Sequence, residues 1–443
     1  MSGVKGVIIA APSSGSGKTL LALGLARHWA RSGHAVGAAK VGPDYIDSGY
    51  LAAASGRACV NLDLWAMRPS TFAGAVVEAG GDAGFVVCEG VMGLFDGASG
   101  GKGSTADVAA LTGWPVVLVV DARAQGASVA AIVQGFDRHR PDVPLAGVVF
   151  NRVAGETHAA VLIEATAAAA PHVACLGWLP RRSDLALPER HLGLVQAVER
   201  PDLGGFLDRA ADIVAARIDH ERLLGLARPW AAARSDNATR PLPPLGQTIA
   251  VAQDAAFSFR YPLVVDGWRA AGATLKTFSP LADEAPPADC DAVYLCGGYP
   301  ELHAGRLAGN ADFRTGLRAA AGRGAVVFGE CGGYMALGEG LVDAQGHRHA
   351  MAALLPVETS FAAPKLRLGY RRAVAATSSV LGVRGATFRG HEFHYAQTVH
   401  EGPGDPLFRC TDSKGRDLGA VGLVQGAVAG SFIHLIDRED HGG

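Results

Sequence analysis

Val7-Ile8-Ile9-Ala10-Ala11-Pro12-Ser13-Ser14-Gly15-Ser16-Gly17-Lys18-Thr19 runs from an apolar strand through a Gly/Ser loop and leads into the helical pattern Leu20 to Trp29. In such a loop the glycines let the backbone curl so that successive N–H groups point at phosphate oxygens. Lys18 can then neutralise the β and γ phosphates, and the Thr19 hydroxyl can ligate magnesium. Strand, loop and helix follow in the order a phosphate loop requires. The first glycine of the usual GxxxxGK(S/T) pattern is replaced by Pro12, so the loop is a variant. ATP is the expected ligand, held by Ser14, Gly15, Ser16, Gly17, Lys18 and Thr19.

Outward from the loop, short apolar runs alternate with amphipathic, alanine-rich stretches: Gly6 to Ala10, Ala35 to Val41, Phe85 to Cys88, Val116 to Val120, Leu145 to Phe150 and Val173 to Leu179. These read as strands of a parallel α/β sheet. Glu89, Asp121 and Asn151 stand just past the last apolar residue of their runs, at the carboxyl ends where such sheets bind ligands. A magnesium nucleotide needs acidic help beyond a threonine, so Thr19, Asp47 and Glu89 are the expected metal ligands. Asn151 is a candidate for contacting the adenine, and equally for capping its own turn.

A chain of 443 residues is too long for one hydrophobic core. With 49% hydrophobic and 19% charged residues it is globular, and a net charge of −2 gives no reason to expect nucleic acid or an anionic membrane as partner. The seven scattered cysteines form no CxxC pair, which argues against a disulfide framework or a zinc site and fits a reducing cytoplasm. The N-terminus has no signal-peptide layout, and no window approaches eighteen uninterrupted apolar residues.

From Arg228 to Gly246 the chain is rich in proline and polar residues, and is read as a linker. It divides the sequence into 1–227, a linker over 228–246, and a second α/β domain over 247–440. In the second part the strand Val326-Val327-Phe328 breaks into Gly329-Glu330-Cys331-Gly332-Gly333-Tyr334. Glycines on both sides make room for a sharp strand-to-helix turn. Such a turn is expected to expose the Cys331 sulfur at a helix N-terminus, where the dipole favours thiolate. A thiolate attacking an amide needs a base and oxyanion donors. His434, after the apolar Gly430-Ser431-Phe432-Ile433, is the candidate base; Gly298 and Gly332 are the candidate N–H donors. In His391-Glu392-Phe393-His394 the first two side chains point to opposite faces of a strand, which speaks against a metal site.

A phosphate-loop domain joined to a cysteine-elbow domain resembles the cobyrinic or hydrogenobyrinic acid a,c-diamide synthase family, the tetrapyrrole amidases of cobalamin biosynthesis. The resemblance covers nearly the whole chain. Besides the two loops it rests on Gly42-Pro43-Asp44-Tyr45-Ile46-Asp47, Glu89-Gly90-Val91-Met92-Gly93-Leu94-Phe95-Asp96-Gly97, Pro188-Glu189-Arg190-His191-Leu192-Gly193-Leu194, Gly297-Gly298-Tyr299-Pro300-Glu301 and Gly390-His391-Glu392-Phe393-His394-Tyr395. It implies a dethiobiotin-synthetase-like P-loop domain followed by a flavodoxin-like class I glutamine amidotransferase domain. The partners implied are ATP with Mg2+, L-glutamine and a corrinoid carboxylic acid, with room for a homodimer. Asp44, Tyr45, Ile46 and Asp96 are the expected substrate contacts. Glutamine amidotransferases of this type commonly carry a glutamate two residues after the histidine. Ile436 stands there, so a Cys331–His434 pair is expected rather than a full triad. Cobyric acid synthase and nickel-sirohydrochlorin a,c-diamide synthase are related alternatives. A partition-type ATPase is disfavoured, because its early signature lysine is Ser13 here.

Overall fold

The computed structural model describes residues 3–99, 101–190, 193–230 and 240–440. His191 and Leu192 of the Pro188–Leu194 motif, and 231–239 of the expected linker, lie outside the described residues. The chain divides into two compact units, Met1–Trp65 with Phe72–Ala238, and Ala66–Thr71 with Thr239–Gly443.

In the first unit, parallel strands lie in the order Cys59–Leu62, Gly37–Val41, Phe85–Glu89, Val4–Ala10, Val116–Asp121, Leu145–Val153 and Ala174–Pro180. Helices cover the sheet, so its strands are near-continuous runs of buried apolar residues rather than alternating ones. The sequence reading missed Cys59–Leu62, which is only four residues long. It also placed Arg228–Trp230 in the linker, whereas the structure pairs this stretch antiparallel with Val4–Gly6. Register brings the strand ends together: Lys40 lies opposite Glu89, Ile9 opposite Glu89, and Asp121 opposite Asn151.

The second unit is built on a sheet whose first five strands, Thr274–Phe278, Thr248–Ala252, Ala292–Leu295, Val326–Glu330 and Val428–Ser431, are parallel. Asp417–Gln425, Asp405–Asp412, Arg367–Ala375, Thr387–His394 and Ile433–Arg438 continue it antiparallel. Of this half the sequence reading anticipated only segments near Ala386 to Ala396 and Ala420 to Leu435. Phe432 alone separates Val428–Ser431 from Ile433–Arg438, yet four strands stand between them in the sheet order. The antiparallel half must therefore roll back on the parallel half, which carries the histidine strand toward the nucleophile strand.

Ala66–Thr71 belongs to this second unit although the first unit flanks it in sequence. Its anchor is Arg68, whose backbone N–H donates to Asp437 Oδ2 (2.8 Å) and whose guanidinium donates to Asp437 Oδ1 (2.9 Å), Asp440 Oδ1 (2.7 Å) and the Arg240 carbonyl (3.0 Å). Asp437 is fully buried and Arg68 nearly so, the regime in which a pair tolerates its desolvation only while every partner is in place.

Candidate active sites of the two units

At the first site, Lys18 Nζ donates to the Met92 carbonyl (2.7 Å) and the Ser13 carbonyl (3.3 Å), and burial lowers the ammonium to about 8. The Thr19 hydroxyl donates to Glu89 Oε1 (2.6 Å). Lys40 Nζ sits 3.0 Å from that same oxygen and 2.6 Å from Asp47 Oδ2. Burial works against the Lys40 charge, but Asp47 and Glu89 outweigh it and hold the ammonium above its ordinary value. Burial likewise pushes the Glu89 carboxyl up. Asp44 Oδ1 accepts the Ile46 and Asp47 N–H groups (2.8 and 3.0 Å) at the start of the helix Ile46–Ser55. Burial first, then Asp47, pushes the Asp44 carboxyl up to about 7.

A cavity of about 660 Å³ opens over this group. Ser14, Gly15, Gly17, Lys18, Thr19 and Lys40 line it, as do Asp44, Ile46, Asp47, Glu89 and Asn151. Three expected residues do not. Ser16 turns its hydroxyl onto the Ser13 carbonyl (3.0 Å), and Asp96 Oδ2 accepts the Gly93 N–H (2.9 Å), so each closes its own loop. Tyr45 is buried beside the cavity without lining it. Asn151 holds the phosphate loop: its Nδ2 donates to the Ser16 carbonyl (2.9 Å) and its Oδ1 accepts the Arg152 N–H (2.9 Å). A Cβ on Gly17 would stand 2.0 Å from that Nδ2, so only glycine fits there, where φ is also +103°.

The donors suit magnesium. Glu89 Oε2 is buried without a hydrogen-bond partner, and the Thr19 hydroxyl and the Asp47 carboxylate add hard oxygens beside it. Magnesium takes few protein carboxylates and completes its shell with water and phosphate oxygens.

Lys40 and Arg152 received no role from the sequence. A lysine closing the apolar run Ala35 to Val41 was the available signal for the first. Arg152 offered none: it adopts φ +58° and donates to the Gly15 carbonyl (2.8 Å) and Asp121 Oδ2 (2.6 Å), which ties the phosphate loop to its neighbouring strand end.

In the second unit Cys331 adopts φ +50°, ψ −106°, a conformation L-residues rarely take. Its N–H is held by the Ser431 carbonyl (2.8 Å), and a Cβ on Gly333 would lie 2.0 Å from the Leu295 carbonyl oxygen, so the elbow depends on glycine. The expected exposure of the sulfur is corrected here. Cys331 is 2% exposed, the helix Gly332–Leu337 is only six residues long, and burial drives the thiol well above its ordinary value while the Gly332 N–H pulls it down. His434 is fully buried, and burial with His391 and His394 nearby lowers it to about 3. Burial thus works against the charged form of both the thiol and the imidazole.

Gly297 lies between them. A Cβ placed there would be 2.3 Å from His434 Cε1, 3.1 Å from His434 Nε2 and 3.3 Å from Cys331 Cβ. Gly298 and Gly332 are also neighbours, with the Gly298 nitrogen 3.0 Å from the Cβ position of Gly332. Of the strand His391–His394, His391 lies cross-strand from His434, and Glu392 bonds Arg371 Nε (2.6 Å) and His394 Nε2 (2.9 Å).

Residues 7–195 match the profile of the CobQ/CobB/MinD/ParA nucleotide binding domain, and residues 248–441 that of the CobB/CobQ-like glutamine amidotransferase domain. Hydrogenobyrinate a,c-diamide synthases of Brucella anthropi, Rhizobium meliloti and Rhodobacter capsulatus are 52%, 51% and 50% identical to the chain, each covering 98% of it and 99% of the relative. The chain belongs to the hydrogenobyrinate a,c-diamide synthase family. This synthase-family chain thus carries its phosphate-loop cavity inside the first matched region, and Cys331, His434 and Gly297 inside the second. Among the described residues no helix is long and apolar enough to cross a membrane.

Proposed function

We propose that the protein amidates the a- and c-acetate carboxylates of hydrogenobyrinic acid with ammonia drawn from L-glutamine, at the expense of ATP, in cobalamin biosynthesis. The end-to-end match to relatives so named carries this reading, and the two sites supply the chemistry it needs. A carboxylate is a poor acyl donor. Its oxygen attacks the γ-phosphorus of ATP, ADP leaves, and an acyl phosphate forms at the first site. Ammonia then attacks the acyl carbon and phosphate departs. Lys18 and the loop amides of Ser14 to Thr19 hold the phosphates, and Asn151 keeps the loop in register while its remaining N–H is available to the adenine. Thr19, Asp47 and Glu89 would hold Mg2+, which when bound neutralises charge on the transferring phosphoryl group. Asp44 and Ile46, which line the cavity, shape its corrinoid side.

At the second site the Cys331 sulfur attacks the glutamine carboxamide carbon. His434 takes the thiol proton and returns it to the departing nitrogen, releasing ammonia. Water then cleaves the thioester to glutamate. Gly298 and Gly332 N–H groups face the developing oxyanion. The seven free cysteines agree with a cytoplasmic setting.

Product mass from hydrogenobyrinic, cobyrinic and nickel-sirohydrochlorin acids, incubated in parallel with ATP and glutamine, tests the reading. A gain of two amides on the metal-free acid is expected. No amidation of any of the three overturns it.

A further inference from the structure

The histidine strand Ile433–Arg438 has its ladder bonds with Thr387–His394, while the nucleophile strand Val326–Glu330 has its own with Ala292–Leu295 and Val428–Ser431. No ladder joins the two strands directly. Glu330 spans them. It is the residue immediately before Cys331, it is buried, and its two carboxylate oxygens are both engaged. Oε1 accepts the backbone N–H of Leu435 (3.0 Å), the residue after His434, and Oε2 accepts the Tyr294 hydroxyl (2.6 Å) from the adjacent parallel strand. The one carboxylate thereby grips the base strand from a point next to the nucleophile.

We infer that Glu330 is a positioning residue of the glutamine reaction: its carboxylate, steadied by Tyr294, sets the register of His434 against Cys331 through the Leu435 N–H. The inference rests on the glutamine reading of the second site. Glu330 also acts through charge. Burial pushes its carboxyl up to about 7, and its negative form raises the neighbouring thiol further. The groups around it are Tyr294 and Cys296 from the adjacent strand and its end, Cys331 from the elbow and the Leu435 backbone from the histidine strand, while the Arg260 charge acts on Tyr294 and Cys296. Protonated Glu330 keeps Oε1 free to accept from Leu435, so the register holds on both sides of neutrality while the thiol's environment changes.

The test uses the full-length protein. Wild-type glutamine hydrolysis is the control: its absence would overturn the glutamine reading itself. With that activity present, Glu330→Ala is expected to lower glutamine-dependent kcat about 100-fold, as for a displacement of the base by about 1 Å. The KM for glutamine and the ammonium-driven synthesis should stay within about threefold of the parent, a margin small against that loss. Glu330→Gln keeps an acceptor for Leu435 and should recover kcat to within about fivefold, since its Oε1 still holds the register. The rate at which a diazoketone analogue of glutamine alkylates Cys331 should show an inflection near pH 7 in the parent that is gone in Glu330→Gln. If Glu330→Ala does not fold, Tyr294→Phe replaces it, with a loss of about tenfold expected from one deleted bond to a charged group. Persistence of the inflection in Glu330→Gln would overturn the proposal. So would a parallel fall in ammonium-driven activity, or glutamine-dependent kcat within about twofold of the parent in the alanine or phenylalanine variant, since neither fits a loss confined to positioning.

Discussion

Replacing Gly297 by alanine should separate the two halves of the reaction. The added methyl carbon would stand 2.3 Å from His434 Cε1 and 3.3 Å from Cys331 Cβ, whereas ordinary contacts begin near 3.4 Å. The turn has little freedom to retreat, because the Gly297 carbonyl accepts the N–H groups of Ser258 and Phe259 at 2.9 and 2.8 Å. The imidazole, at the end of a side chain, gives way instead, by about 1 Å. A misplacement of that size costs about 100-fold in rate, or about 2.7 kcal/mol of transition-state stabilisation. The assay follows glutamate release and product formation in one preparation, with glutamine or with ammonium as nitrogen source. Glutamine-dependent kcat should fall about 100-fold while ammonium-driven synthesis persists, because the first site is untouched. A variant whose glutamine-dependent kcat stays within about threefold of the parent would refute the placement of His434 against Cys331.

Cys331→Ala should lower glutamine-dependent amidation by about 10³-fold or more and retain synthesis from added ammonium, measured by product mass; loss of both activities would contradict the division of labour. Arg68→Ala leaves Asp437 buried without its cation and should destabilise the second unit by about 3–5 kcal/mol, read from urea unfolding, with a shift under about 1 kcal/mol counting against the ion-pair account. Glu392 is held at about 2, below its ordinary value, by His394 and Arg371 against the opposing effect of burial. That depression stabilises the fold above the ordinary glutamate value and is lost as pH falls through about 2. Glu392→Gln should therefore cost about 3 kcal/mol at pH 7, with the gap to the parent narrowing from about pH 4.5 downward in urea titrations at stepped pH. A gap that does not change with pH would refute the ion-pair origin.

The phosphate loop and the cysteine elbow were legible because each is a contiguous run whose backbone geometry demands particular residues. Gly17 has room for no side chain beside Asn151, and Gly333 none beside the Leu295 carbonyl. The alternation of apolar runs likewise announced the parallel sheet, since strands covered on both faces are apolar throughout. What surrounds these motifs was less legible. The antiparallel strand Arg367–Ala375 is mostly exposed or half-buried and alternates weakly, so it shows little of its pairing in sequence. Exposure of the Cys331 sulfur was misjudged because a turn's geometry says nothing of what packs over it.

The amino-acid sequence by itself determined the α/β class, the phosphate loop with Lys18 and Thr19, and the elbow that bears Cys331, all properties of neighbours along the chain. The tertiary structure alone decided that Lys40 bridges Asp47 and Glu89, that Arg68 reaches Asp437, and that Gly297 stands between Cys331 and His434. The reason is physical. Those partners meet through strand register and through the turn at Phe432 that rolls the sheet back on itself, and register is settled by long-range packing rather than by any local run of residues.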